Sequence, residues 1–170
     1  GMRIQTALPP SAAARAALYA GAVFLLPPCA ESVRLVRRVR RIVRETFADV
    51  GPPRHAQHVL EASEMHARVT RARAALGDDA QARAQFLALM DAVGLSAAEH
   101  AVDDMRLRAV QSGGHRIAAA APVYTPHRDT WYANPPSQIN WWVPLHDVDA
   151  SETFVFYPDA FSAVSYTHLT

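Results

Sequence analysis

The side-chain period of this chain changes once, near Met105, and that change limits what it can fold into. Upstream, Leu35, Val36, Val39, Ile42, Val43 and Phe47 fall at i, i+1, i+4, i+7, i+8 and i+12, the apolar stripe of an α-helix. Downstream, Met105, Leu107 and Ala109 alternate with Arg106, Arg108 and Val110, the period of a strand. Helices followed by strands make an α+β pattern. A length of 170 residues with 50% apolar content suits one domain with its own core.

The punctuation supports this division. The spacing predicts a short helix over Ser11–Tyr19, with Ser11 as N-cap after Pro9-Pro10, and a buried strand over Ala22–Leu26 that stops at Pro27-Pro28. The striped helix ends at Gly51-Pro52-Pro53. A further helix is expected over His55–Leu76, with Gly77 as its C′ residue. Another opens at Asp78-Asp79 and runs to about Val93 before Gly94, and Ser96 caps a short one after it. Beyond Gly113-Gly114, strands are expected over Arg116–Tyr124, His127–Tyr132, Gln138–Leu145 and Thr153–Tyr157, with Asn134-Pro135-Pro136 as a break.

Composition removes several classes. The formal net charge of +1 gives the whole protein no electrostatic pull toward nucleic acid or acidic membrane. Arg34, Arg37, Arg38, Arg40, Arg41 and Arg44 line one helix and read as a solvated face. Cys29 is the single cysteine, so no internal disulfide forms, which fits a reducing cytoplasm. No apolar run reaches the roughly 18 residues that a membrane span needs. His55, His58 and His66 lack the partners of a tetrahedral zinc set and read as surface or core histidines.

The residues that carry chemistry lie in YTPHRDTWYANPPSQINWWVPLHDVDASETFVFYP, 124–158. On a strand, His127 and Asp129 point to one face. An imidazole beside a carboxylate is two thirds of the 2-His-1-carboxylate triad that holds non-haem Fe(II) with open positions. By the same alternation Gln138, Asn140 and Trp142 share one face, opposite Ile139, Trp141 and Val143. Buried without partners, the amides would cost a few kcal/mol each. Either they meet a ligand, water or backbone, or they form a solvated face.

These surroundings, from about residue 106 to 158, resemble the phytanoyl-CoA-dioxygenase-like branch of the Fe(II)/2-oxoglutarate-dependent oxygenases, nearest to the streptomycin-biosynthesis type. The resemblance implies N-terminal helices (about 1–103) packed on a partial double-stranded β-helix, or jelly roll (about 104–161), in a single domain over 1–170. It implies Fe(II) held by His127 and Asp129. It implies Gln138 and Asn140 near 2-oxoglutarate or substrate, and Trp131, Tyr132 and Trp142 at the substrate mouth, where aromatics equally serve packing. The expected partners are a small-molecule substrate and a second copy of the chain through an open sheet edge, with no nucleic acid and no membrane.

The family pattern also calls for a later His and, beyond it, an Arg or Lys for the 2-oxoglutarate carboxylate. Neither His146 nor His168 stands in that context, and Asp147 and Asp149 read as turn residues. Ser165–Thr170 resembles a translated sequencing adaptor, and homologous sequence is expected to end near Phe161, with 162–170 an added tail. The expected activity is therefore hydroxylation of a small molecule by the full-length enzyme, with this chain truncated at its C-terminus and inactive alone. The alternative is a non-catalytic jelly-roll module that binds a small molecule.

Overall fold

The computed structural model describes residues 4–116, 124, 127 and 134–157. Its elements in order are β1 (Ile4–Gln5), α1 (Ser11–Tyr19), β2 (Val23–Phe24), α2 (Ala30–Thr46), a 3-10 turn (Pro53–His58), α3 (Ala62–Gly77), α4 (Ala80–Ala92) and a second 3-10 turn (Gly114–Arg116). β1 and β2 pair in parallel, Ile4 with Val23 and Gln5 with Phe24.

Helix α2 organises the rest. Its stripe buries Leu35, Val39 and Ile42 against Leu76 of α3 and Ala82 and Leu89 of α4. Val43 lies between this cluster and a second one, built from Phe47, Ala56, Met65 and Val69. Cys29 caps α2: its Sγ accepts the Ser32 N–H at 3.5 Å, while Ser32 Oγ accepts the Cys29 N–H at 2.9 Å. Asp79 caps α4, its carboxylate accepting the Ala82 N–H at 2.6 Å. Gly94, at φ +82°, closes α4: its N–H bonds Asp91 O, and the Leu95 N–H bonds Met90 O. That pattern is a Schellman motif, and the left-handed backbone explains the glycine.

The jelly-roll expectation is overturned. Among the described residues the only sheet is the two-stranded β1–β2 pair, and the fold is otherwise helical. Among the described residues no jelly-roll sheet edge is formed. Alternation still shows at Met105 and Leu107, which turn inward onto the α2–α4 core while Arg106 and Arg108 face solvent. Period-2 patterning reports an extended, half-buried backbone; a ladder also needs a partner strand in register. Here the Leu107 carbonyl accepts Arg73 Nε at 2.9 Å from a helix side chain. Residues 138–145 and 154–157 are likewise outside any ladder. The strands expected over 116–124 and 127–132 fall almost wholly outside the described residues.

Smaller differences have local causes. The helix expected from His55 begins instead as the 3-10 turn led by Pro53, and α3 starts at Ala62 after Leu60 has packed into the second cluster. Gly77 is the last helical residue rather than C′, with Asp78 as C-cap. Pro10, not Ser11, stands at the α1 N-cap, with no side-chain cap. Ser96 heads a turn, its Oγ accepting the Ala98 N–H at 3.2 Å. No helix among the described residues is long and apolar enough to cross a membrane.

Two ion pairs fasten the helices. Arg38 on α2 meets Asp79 at the head of α4. Arg68 on α3 is buried, stacked 6.0 Å above the Phe47 ring, and donates to Asp49, to Glu64 Oε1 at 2.7 Å and to Thr46 O at 3.3 Å. Hydrogen bonding from Arg68 holds the Asp49 carboxyl at about 2, below its ordinary 3.8. Because the folded-state value is the lower one, the unfolded chain takes up the proton first as pH falls. Stability from this pair is therefore complete above about pH 4 and lost toward about pH 2. Chemical denaturation across that range should show stability falling less steeply in Asp49→Asn than in the wild type. Identical slopes would mean that Asp49 contributes nothing to acid sensitivity.

Candidate functional site

The sequence places its chemistry after residue 124, and the described part of that region is an extended chain laid on the helical body. Several contacts hold it there. Leu145 packs on the α2–α4 core. The Tyr19 hydroxyl donates to Ser137 O at 3.0 Å, and Arg54 pairs with Glu152 at 3.1 Å. The Tyr124 hydroxyl donates to Gln111 O at 2.8 Å, and it stands 2.2 Å from where a Cβ on Gly114 would be, so a larger residue at 114 would have to push the tyrosine aside.

His127 is exposed. Asp129, Trp131 and Tyr132 lie outside the described residues. Gln138 and Asn140 both face solvent, and Gln138 Nε2 donates to Asn140 Oδ1 at 2.6 Å. Of the two orientations open from the sequence, the structure has the amides outward, with Ile139 and Trp141 half-buried on the other side. Exposure of both amides removes the burial cost, and their mutual hydrogen bond satisfies one donor and one acceptor.

Trp142 is exposed and meets the Phe154 ring edge-to-face at 5.0 Å, and Phe154 meets Phe156 at 5.1 Å. The three rings form an exposed apolar ladder, and Val155 and Tyr157 in the same segment are exposed as well. Sequence reading had Phe154 and Phe156 as strand positions; their spacing of two residues is what brings both rings to one side. Asp149 forms the turn expected of it. Its Oδ1 accepts the Ser151 N–H at 2.7 Å and the Ser151 hydroxyl at 2.6 Å, and these bonds lower its pKa. His146 Nδ1 donates to Asp147 O at 2.8 Å, which occupies one ring nitrogen within its own turn.

Among the described residues no three His, Cys, Asp or Glu side chains gather as a metal would require. His55, His58 and His66 are all exposed, in keeping with a surface role. A facial triad needs three protein ligands. The sequence names two, and no described residue joins His127 as the third.

Among the described residues an open groove of about 590 Å³ lies between α2 and α3, lined by Arg38, Glu45, Asp49, Arg68, Arg71 and Asp79 among others. Its charges answer one another: Arg38 with Asp79, Arg68 with Asp49, and Arg71 with Glu64 at 3.7 Å. It is a seam of ion pairs rather than a pocket with converging unsatisfied groups. Sequence reading missed these pairs because their partners stand 41 and 19 residues apart. The available signal was only that Asp49 and Asp79 sit at helix boundaries.

No protein-family model, curated protein or solved structure matches this chain.

Proposed function

We propose that this chain contributes to a non-haem Fe(II)/2-oxoglutarate-dependent dioxygenase that hydroxylates a small molecule, with His127 and Asp129 as two of the iron ligands. One observation carries the reading: a His-x-Asp pair set in residues 106–158, whose sequence resembles that family. The described residues do not complete a triad.

Cobalt(II) is a suitable probe, because its visible absorption reports coordination without oxygen chemistry. Two ligands alone hold a metal loosely, so the chain should bind Co(II) weakly. His127→Ala and Asp129→Ala should each weaken that binding by about tenfold or more, at least the loss typical of removing a group that merely supports a ligand. Co(II) binding unchanged in both variants would sink the assignment. Tight one-to-one binding in the wild type, still lost in the variants, would keep the pair as ligands and show that the chain supplies the third itself.

A further inference from the structure

The outer face of α2 is a second feature with unspent chemistry, and it does not depend on the oxygenase reading. Helix α2 carries six arginines and two glutamates over 17 residues. At about 100° per residue, Arg37, Arg40, Arg41 and Arg44 fall within an arc of about 100°, and the buried Leu35, Val39 and Ile42 lie on the opposite side. All four are exposed. Arg34 and Arg38 are engaged with Glu31 and Asp79, but among the described residues no carboxylate stands within ion-pair distance of the other four. The one bond made by this group is Arg44 Nε to the Arg40 carbonyl at 3.3 Å, which leaves the end nitrogens of Arg44 outward. The small net charge of the whole chain conceals this local excess, because the acids that balance it sit on other elements.

We infer that this face docks on the sugar–phosphate backbone of duplex nucleic acid, independently of base sequence. Charge complementarity selects the occupant. From Arg37 to Arg44 the helix rises about 10 Å. Over the same axial length a duplex presents about six phosphates, one per about 1.7 Å. Guanidinium forks bind phosphate oxygens in pairs. An acidic lipid surface fits less well, because the apolar side of α2 is consumed in the core and has nothing to insert.

The test is fluorescence anisotropy with a labelled duplex of about 20 base pairs and arbitrary sequence, using the full chain over a series of salt concentrations. Four phosphate contacts predict a log–log salt slope of about −3 to −4. The double reversal Arg37→Glu/Arg41→Glu should lower affinity by about tenfold or more at low salt, where each lost phosphate contact counts most. Arg15→Glu/Arg108→Glu changes net charge equally at exposed positions outside α2 and should cost far less. Circular dichroism should show unchanged helix content in both variants, since all four side chains are exposed. Absence of duplex binding at low salt, equal losses in the two double variants, or a slope near −1 would each overturn the inference. So would tighter binding to vesicles of phosphatidylserine and phosphatidylcholine than to the duplex.

Discussion

Phe47→Ala should cost about 3–5 kcal/mol, the usual range for emptying a buried aromatic site. Phe47 is 2% exposed, the largest fully buried side chain among the described residues. It closes α2, its N–H reaching the Val43 and Arg44 carbonyls at 3.2 Å each, and its ring fills the second cluster between Ala56, Met65 and Val69. The lost ring removes apolar burial and also the surface on which the buried Arg68 guanidinium lies. Against a total stability of about 5–15 kcal/mol, this is a large fraction. Urea denaturation followed by far-ultraviolet circular dichroism should show the loss, and the thermal midpoint should fall by about 10 °C. Phe47→Leu keeps most of the volume and should cost under about 2 kcal/mol. A loss below about 1 kcal/mol in Phe47→Ala would mean that the second cluster melts separately from the α2–α4 core.

The helical half of this fold was legible because its signals are local. The stripe from Leu35 to Phe47 needs only the geometry of one helix to be read, and Asp79 and Gly94 act at the ends where their chemistry belongs. The strand half was not legible in the same way. Met105 and Leu107 do alternate with Arg106 and Arg108, yet alternation is satisfied by any extended segment with one side on a core. Whether such a segment joins a ladder depends on a partner many residues away, and nothing local specifies that partner. The jelly roll came from resemblance, and the described segments did not assemble one.

The candidate site divides similarly. Asp149 was readable as a turn residue because its side chain bonds two residues ahead, within reach of sequence reasoning. For Gln138, Asn140 and Trp142, sequence established a shared face but not which way it points; the amides turn to water and the indole to Phe154. The ion pairs of Arg38 and Arg68 were invisible, since they follow from how α2, α3 and α4 cross rather than from any spacing along the chain.

Asp79 joins two of those levels, and removing it should therefore cost more than either role alone. Its Oδ1 caps α4 through Ala82, and its two oxygens accept Arg38 Nε at 3.3 and 3.0 Å and Nη2 at 2.5 Å. The side chains are 11% and 25% exposed, so the pair is partly desolvated. Hydrogen bonding from Arg38 lowers the Asp79 pKa, which marks the carboxylate as the form the fold prefers. Loss of the cap costs about 1 kcal/mol. Loss of the pair adds about 1–2 kcal/mol, less than for a fully buried pair, because Arg38 can regain water. Asp79→Ala should thus destabilise by about 2–3 kcal/mol. Asp79→Asn retains a cap of equal quality and should lose only the charge, about 1 kcal/mol. Crossing Asp79→Asn with Arg38→Gln isolates the pair, and their coupling should be about 0.5–2 kcal/mol. A coupling near zero, with Asp79→Ala still costing about 1 kcal/mol, would reduce Asp79 to a cap and leave apolar packing as what holds α2 against α4.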